Sequence, residues 1–190
     1  MKTADIVIEN FRPGVLEEWG LDPKSLQKDN PDLIYARISG YGQTGPYAKK
    51  PGFASACEAI SGFRYVNGYP GQTPVRPNLS LGDTVSGLHA VIGILMSLRV
   101  KDHKNKKGEA GGQVVDIALY ESMFNLLEAV IPEYQGAGVV RQPSGTTVTG
   151  IVPTNTYQCA DEKYIVIGGN GDSIFKRLMA AIGRPDLASL

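Results

Sequence analysis

One aspartate in this sequence has a setting that suits a reactive carboxylate. Asp83 lies between Gly82 and Gly87, at the start of a segment with apolar residues at helical spacing. These apolar residues are Val85, Leu88, Val91, Ile92, Leu95, Met96 and Leu98. The pattern predicts Asp83 as the N-cap, where backbone N–H groups and the helix dipole keep a carboxylate ionised. Such a carboxylate can be a nucleophile, although most N-cap aspartates only stabilise their helix.

A second segment with a chemical use is the run of glycines at 168–171. Gly168, Gly169 and Gly171 let backbone N–H groups come close to a ligand, as in a lid or a site that stabilises an oxyanion. An ordinary turn between a hairpin and a helix explains the same residues. The run lacks the spacing of a dinucleotide-binding loop and the Lys-Ser/Thr pair of a phosphate-binding loop. A nucleotide site is therefore weakly supported.

Metal-dependent and triad chemistry find little support in the sequence. His89 and His103 have no partners at the spacing of a metal site or a catalytic triad. Cys57 and Cys159 lack metal-ligand spacing and are too few for a disulfide scaffold. We therefore predict no metal site, and we expect a reducing location. That location is the cytoplasm, or the mitochondrion if a presequence lies upstream of Met1.

Composition narrows the class of protein. The chain has 190 residues, of which 42% are hydrophobic, and this is enough to bury a core. Lys and Arg together number 19, as do Asp and Glu, so the net charge of zero gives no electrostatic attraction for nucleic acid or an anionic membrane. No apolar run is expected to approach membrane-spanning length. The partners are thus expected to include neither nucleic acid nor membrane.

Strand and helix patterns alternate along residues 1–132. Strands are predicted at 6–8, 33–38 and 113–118, and helices at 15–19, 23–29, 54–60, from 83 onward and at 120–131. A strand, a helix and a strand at this spacing indicate a parallel βαβ unit. The predicted fold class is therefore α/β, with a parallel, Rossmann-like sheet.

The chain is predicted to divide near residue 132. Residues 133–152 contain many glycines and prolines and few large apolar groups, which is typical of a mobile linker. In residues 153–190, strands at 154–159 and 163–168 form a hairpin, and a helix follows at 173–182 with Asp172 as its N-cap. This second region is predicted to be a smaller α+β unit.

Several motifs occur together in a characteristic order. They are Ala4–Gly14, Leu33–Pro46 with its ending Gly-Tyr-Gly-Gln-Thr-Gly-Pro, Leu81-Gly82-Asp83, Gln113–Glu121 and Tyr164–Gly171. This combination resembles the class III coenzyme A transferases, also called the CaiB/BaiF or formyl-CoA transferase family. The resemblance implies that residues 1–132 are the central part of a large α/β domain that binds coenzyme A, and that 153–190 begin a smaller domain.

The resemblance also implies roles for individual residues. Asp83 matches the family's nucleophile, which forms a covalent aspartyl intermediate. The coenzyme A site is implied at Asn10, Phe11, Arg12, Tyr41 and Gly42, and the glycine loop over the reacting carboxylate at Gly168, Gly169 and Gly171. The substrates implied are an acyl-CoA and a small polar or dicarboxylic acid, with no further cofactor. Members of the family form interlocked homodimers.

The sequence departs from the family's pattern at a few positions. Glu18 stands where a basic residue is often found, so that contact to the phosphates of coenzyme A is absent or comes from another residue. Ser39 stands where some formyl-CoA transferases have lysine, which argues against formyl or oxalyl specificity. Phe53 and Ala54 replace the His-Asp pair of the related 2-methylacyl-CoA racemases. Because no base stands at these two positions, transfer is favoured over racemisation.

Family members are longer than this chain. They begin with another strand and helix upstream of the position of Ala4, and they continue far beyond that of Leu190. A catalytically silent fragment and a module that binds coenzyme A without turnover are therefore alternatives to an active transferase. Binding of coenzyme A without acyl exchange would separate these alternatives from the enzyme.

Overall fold

The computed structural model describes residues 3–189, which fall into two compact units. The first unit consists of residues up to 64 and of 76–131, and the second consists of 65–75 and of 132 onward. The strands are β1 (Ile6–Glu9), β2 (Ile34–Ser39), β3 (Val114–Ala118), β4 (Thr154–Gln158) and β5 (Tyr164–Gly168). The helices are α1 (Val15–Glu18), α2 (Pro23–Asp29), α3 (Ala54–Ile60), α4 (Phe63–Val66), α5 (Leu81–Asn105), α6 (Leu119–Phe124), α7 (Val130–Ala137) and α8 (Asp172–Ala181).

The first unit is built on a three-stranded parallel sheet in the order β1-β2-β3. Ile6 pairs with Ile34, and Tyr35 pairs with Val114, so β2 is the central strand. Helices α1 and α2 connect β1 to β2, as the βαβ pattern predicts. Asp22 is the N-cap of α2, because its Oδ1 accepts a hydrogen bond from the Ser25 N–H at 3.0 Å. The predicted α/β class is thus confirmed.

The central strand β2 is buried on both faces. Ile34 and Ala36 belong to a core with Ala90 and Ile94 of α5 and with Ile117. Leu33 and Tyr35 point to the opposite face, where they form a second core with Leu16 and with partly buried side chains of Val7, Leu21 and Leu26. This burial explains the continuous apolar run of the strand, because alternate residues must each find an apolar layer. The sheet therefore has helices on both faces.

Helix α5 begins earlier than predicted and continues beyond Leu98, the last apolar residue of its pattern. It starts at Leu81, with Ser80 as its N-cap, because the Ser80 carbonyl already accepts a hydrogen bond from the Thr84 N–H at 3.0 Å. The prediction that Asp83 is the N-cap is therefore wrong, since Asp83 is the third residue of the first turn. The helix continues to Asn105 through a stretch that contains the basic residues Arg99, Lys101 and Lys104.

The exposed side of α5 is strongly apolar. Exposed side chains along it are Leu88, Val91, Ile92, Leu95 and Met96. Within residues 3–189, α5 is the single helix long and apolar enough to cross a membrane, with a mean hydropathy of 1.4 over 18 residues, of which 28% are buried. The expectation that no apolar run approaches this length is therefore wrong. Length and composition are weak evidence for a membrane span, and α5 packs its other side on the sheet.

The segment predicted as one helix at 120–131 is interrupted. Helix α6 ends at Phe124, a short 3-10 turn follows, and Glu128 has a positive φ of 48°. An α-helix cannot continue through such a backbone conformation, and α7 starts afresh at Val130. Helix α7 also occupies the first residues of the stretch predicted as a linker at 133–152.

The second unit contains the predicted hairpin and a helix after it. Strands β4 and β5 pair antiparallel, with Thr154 opposite Gly168, so the hairpin is confirmed. Helix α8 begins at Asp172 itself, with Gly171 as the N-cap at a φ of 99°. The prediction that Asp172 is the cap is therefore one residue off, because glycine adopts the positive φ that ends the preceding turn.

Candidate functional site

Asp83 lines a cavity of about 420 Å³ in the first unit. The walls come from the segments that follow the carboxyl ends of the parallel strands, where ligands bind in open α/β sheets. Residues 10–13 follow β1, Ser39 ends β2 and Gly40 comes directly after it, and Leu119 follows β3. The remaining walls are formed by Ile38, Ala48, Lys50, Pro51, Gly52, Phe53, Ala54, Ser55 and Arg76. The site is thus built from strand ends and the first turn of α5.

Asp83 is exposed and occupies the positive end of the helix dipole. Among the residues that the structure describes, no donor is hydrogen-bonded to its carboxylate, so both oxygens are available to a ligand. The side chains beside it serve the helix instead: Thr84 Oγ1 donates to the Ser80 carbonyl at 2.9 Å, and Ser86 Oγ donates to the Gly82 carbonyl at 2.8 Å. The carboxylate therefore faces the cavity without a competing partner.

A buried ion pair anchors the loop at 10–12. Glu9 Oε1 accepts a hydrogen bond from Arg37 Nε at 2.6 Å, and Glu9 Oε2 accepts one from the Phe11 N–H at 2.8 Å. Arg37 Nη1 donates to Glu17 Oε1 at 2.6 Å. The hydrogen bond with Arg37 lowers the pKa of Glu17, and the two carboxylates raise the pKa of Arg37 against the opposing effect of burial. This network holds Asn10, Phe11 and Arg12 at the cavity, where all three line its wall with Asp83.

Two glycines let the backbone form one wall. A Cβ on Gly40 would lie 2.7 Å from the Cα of Gly52, which is closer than real Cβ contacts come. Next to them Ser39 is buried, and its Oγ has no hydrogen-bond partner within residues 3–189. A buried hydroxyl without a partner is unfavourable, and Ser39 is one of the residues that line the cavity.

The cavity has a positive lining around its one carboxylate. Arg12, Lys50 and Arg76 are basic, whereas Asp83 is the only acidic residue among the described residues that line it. The Lys50 ammonium lies 3.8 Å from the centroid of the Tyr47 ring, which is a cation–π contact between two exposed side chains. Phosphate and carboxylate groups are the ligands that such cations bind. Sequence reasoning missed Lys50 and Arg76 because each lies in an irregular segment without a periodic pattern.

Tyr41 and Gly42 lie beside this cavity but do not line it. The Tyr41 ring packs against Tyr47 and Tyr120 at centroid distances of 5.6 and 5.9 Å, and it lines a separate pocket of about 290 Å³. Gly42 has a φ of 81°, and a Cβ there would approach Asp116 Oδ2 to 3.5 Å. The proposed contacts of Tyr41 and Gly42 with coenzyme A stay a prediction of the family resemblance.

Cys57 and His89 are two further residues with reactive side chains near Asp83. Cys57 is completely buried, and burial together with the charges of Asp83 and Glu58 raises the pKa of its thiol to about 11. The thiol donates to the Gly40 carbonyl at 3.2 Å and is neutral at pH 7. His89 Nδ1 lies 2.9 Å from the Val85 carbonyl of the preceding turn, so this ring nitrogen contacts the backbone of its own helix. Neither residue lines the cavity of Asp83.

The glycine run lies in the second unit. The Gly169 N–H donates to the Pro153 carbonyl at 2.7 Å, and a Cβ at Gly169 would lie 2.6 Å from Leu178 Cδ2. Gly168 ends β5, and Gly171 has a φ of 99°. Gly169 and Gly171 line a pocket of about 430 Å³ with Phe175. The role of Gly168, Gly169 and Gly171 in a reaction stays a prediction.

Metal ligands are not gathered anywhere in the described part of the chain. Across residues 3–189, no group of three or more His, Cys, Asp and Glu side chains could hold a metal ion. Both cysteines are free thiols. The charged side chains that line the cavity of Asp83 are this carboxylate and the cations of Arg12, Lys50 and Arg76.

Comparison with known proteins identifies similar chains. The model of CoA-transferase family III matches residues 1–190. The chain is 46% identical, over 98% of its length, to succinyl-CoA–D-citramalate CoA-transferase of Chloroflexus aurantiacus, and 32% identical, over its whole length, to acetyl-CoA:oxalate CoA-transferase of Acetobacter aceti. A crystal structure of a CaiB/BaiF family protein from Brucella suis superposes with a TM-score of 0.81, at 33% identity, over the whole chain.

These similarities cover only part of the longer proteins. The chain corresponds to 45% of the Chloroflexus aurantiacus enzyme, 47% of the Acetobacter aceti enzyme and 48% of the Brucella suis chain. It thus spans about half the length of the relatives that it matches.

Proposed function

The chain belongs to CoA-transferase family III, and on this premise we propose that the protein transfers coenzyme A from an acyl-CoA to a carboxylic acid through a covalent intermediate on Asp83. The observation that supports this most directly is the position of Asp83. Its carboxylate is exposed, has no hydrogen-bond donor among the described residues and lines a cavity with three cations. Such a group can attack a bound thioester without first losing a partner.

The lining of the cavity favours transfer over racemisation. Proton exchange next to a thioester needs a base beside the α carbon. Phe53 and Ala54 line the cavity at the two positions where the racemases have their His-Asp pair, and no histidine is among the described lining residues. The cavity therefore contains a candidate nucleophile, Asp83, but no base at the two positions of the racemase pair.

The first half of the proposed reaction loads coenzyme A onto the protein. An oxygen of Asp83 attacks the carbonyl carbon of the donor thioester, the C–S bond breaks and the thiolate leaves, so a mixed anhydride joins the donor acyl group to Asp83. The thiolate then attacks Cγ of Asp83, the anhydride C–O bond breaks, and the donor acid leaves as a carboxylate. Asp83 is now a thioester of coenzyme A.

The second half unloads coenzyme A onto the acceptor. The acceptor carboxylate attacks Cγ of Asp83 and expels the thiolate, which gives a second mixed anhydride. The thiolate attacks the acyl carbon of the acceptor, and Asp83 leaves as a free carboxylate. No proton is gained or lost overall, so the reaction needs a protected nucleophile and charge stabilisation rather than an acid–base pair.

A dicarboxylic acid is the acceptor class that we propose. The relatives described above are named for citramalate and oxalate, which both have two carboxylates. One carboxylate of such an acid would react with Asp83, while the other would need a cation. Arg12, Lys50 and Arg76 offer three cations for the second carboxylate and for the phosphates of coenzyme A.

The covalent intermediate gives the direct test. The intact gene product is incubated with succinyl-CoA, and its mass is measured. We expect a mass increase equal to coenzyme A minus water, reversed on addition of D-citramalate, L-malate or oxalate with formation of the corresponding thioester. The Asp83→Asn variant should show neither the adduct nor exchange.

A matched control uses the same substitution elsewhere on the same helix. Asp102 is exposed near the far end of α5, so Asp102→Asn should retain the adduct and the exchange. Exchange that persists in Asp83→Asn would disprove the role of Asp83. Incorporation of deuterium at the α carbon of a 2-methylacyl-CoA would favour racemisation, and binding of coenzyme A without an adduct would favour a non-catalytic module.

A further inference from the structure

We infer that Glu58 is a positioning residue for Asp83, because it holds the first turn of α5 through a hydrogen bond to the backbone of Gly82. The inference rests on the proposed function, since it takes Asp83 as the reacting group. Glu58 does not line the cavity, and it acts through the helix rather than on a substrate.

The carboxylate of Glu58 is completely buried and fully engaged. Its Oε1 accepts a hydrogen bond from the Gly82 N–H at 3.3 Å. Its Oε2 accepts two from Arg64, at 2.9 Å from Nη2 and 3.1 Å from Nε. A buried carboxylate is stable only when it is paired, so Arg64 allows Glu58 to remain charged beside the helix.

A turn after α3 brings the side chain of Arg64 back to that of Glu58. Ser61 Oγ donates to the Glu58 carbonyl at 2.9 Å and accepts a hydrogen bond from the Phe63 N–H at 3.3 Å. Gly62, between them, has a φ of 89°, which reverses the chain after α3. The turn from Glu58 to Arg64 therefore places Arg64 on Oε2 of Glu58 and leaves Oε1 to accept the Gly82 N–H.

The start of α5 needs such an external acceptor. The first N–H groups of a helix have no partners within the helix, and the N-cap Ser80 makes no side-chain hydrogen bond to them. Glu58 supplies an acceptor from α3 instead. A Cβ at Gly82 would lie 3.2 Å from the Cβ of Ala54, so the two helices also touch at this residue. Asp83 is the next residue, and its backbone is therefore fixed by both contacts.

Two double variants isolate the hydrogen bond. Glu58→Gln with Arg64→Met removes both charges and retains a side-chain oxygen for Gly82, whereas Glu58→Met with Arg64→Met removes both charges and the acceptor. The side chains are of similar length in both cases. In the intact gene product, the rate of adduct formation is measured as a function of succinyl-CoA concentration, together with the thermal unfolding temperature.

We expect the first double variant to form the adduct at a maximal rate within about threefold of the wild type. The second should lose on the order of 10- to 100-fold in maximal rate, because small displacements of a reacting group cost this much. The succinyl-CoA concentration for half-maximal rate should stay the same in both. If the second variant does not fold, Glu58→Asp, which keeps the charge and shortens the side chain, should show the same loss of rate.

Equal maximal rates in the two double variants would overturn the inference, as would a wild-type rate in Glu58→Asp. A rise in the succinyl-CoA concentration needed for half-maximal rate would also overturn it, since Glu58 would then act on binding. Failure of the proposed function gives a different result: the wild type would form no adduct, or Asp83→Asn would still form one.

Discussion

Replacement of Arg37 by Met should destabilise the protein strongly, and the structure indicates by how much. The side chains of Arg37 and Glu9 are only 7% and 2% exposed, and they meet at 2.6 Å. Removal of one partner of a buried pair costs about 3–5 kcal/mol, because the remaining charge stays buried without compensation. Arg37 also pairs with Glu17, whose side chain is 41% exposed. Loss of this exposed pair adds at most about 1 kcal/mol to the destabilisation. Most of the loss should therefore come from Glu9.

Urea unfolding followed by circular dichroism measures this loss as a shift of the midpoint. The control is Arg37→Met combined with Glu9→Gln, which leaves no buried charge at this pair and keeps an oxygen for the Phe11 N–H. We expect this double variant to recover most of the stability. If Arg37→Met alone shifts the free energy of unfolding by less than about 1 kcal/mol, or if the double variant is no more stable than the single one, the reasoning from the buried pair is refuted.

The pH dependence of stability should reveal the second ion pair. Because the hydrogen bond with Arg37 lowers the pKa of Glu17 below its ordinary value of 4.5, the pair stabilises the fold above that pH, and this stabilisation is lost as the pH falls through the folded-state pKa. The advantage of wild type over Glu17→Gln should therefore shrink as the pH is lowered below 4.5. The pKa of about 11 and the burial of Cys57 predict that iodoacetamide modifies Cys159 first in the native protein at pH 8, and equal rates would contradict this. Residues 1–190 expressed alone should self-associate in light scattering, because the outer side of α5 is apolar and β1 and β3 are edge strands, whereas a monodisperse monomer would speak against it.

Sequence reasoning works best where one local pattern decides the structure. The apolar run of β2 and the spacing of α5 predict their elements because burial on the sheet requires those residues. The N-cap of α5 is misplaced by three residues, at Asp83 instead of Ser80, since Asp and Ser are both good N-caps and only the backbone decides between them. The break after α6 has no Gly or Pro to announce it, and Glu128 adopts its positive φ without a sequence signal.

The supports of the site are harder to predict than the site itself. Asp83 and the loop at 10–12 are part of recognisable motifs. Arg37 and Glu9, however, are 28 residues apart, and their pairing depends on the register of two strands. Glu58 is a charged residue in a short apolar helix, and its burial becomes intelligible only when Arg64 and the first turn of α5 are placed around it. Such contacts come from tertiary structure, and no single-segment pattern contains them.

The contact between Gly40 and Gly52 has a consequence for protein engineering. A side chain at Gly40 would meet the Gly52 backbone at 2.7 Å, and one at Gly52 would meet the Gly40 backbone at 2.9 Å, so neither position tolerates randomisation. A mutant library intended to broaden the range of acids should leave both glycines unchanged. Diversity belongs at Phe53 and Arg76, which line the same cavity with exposed side chains that can change size and charge without moving the main chain.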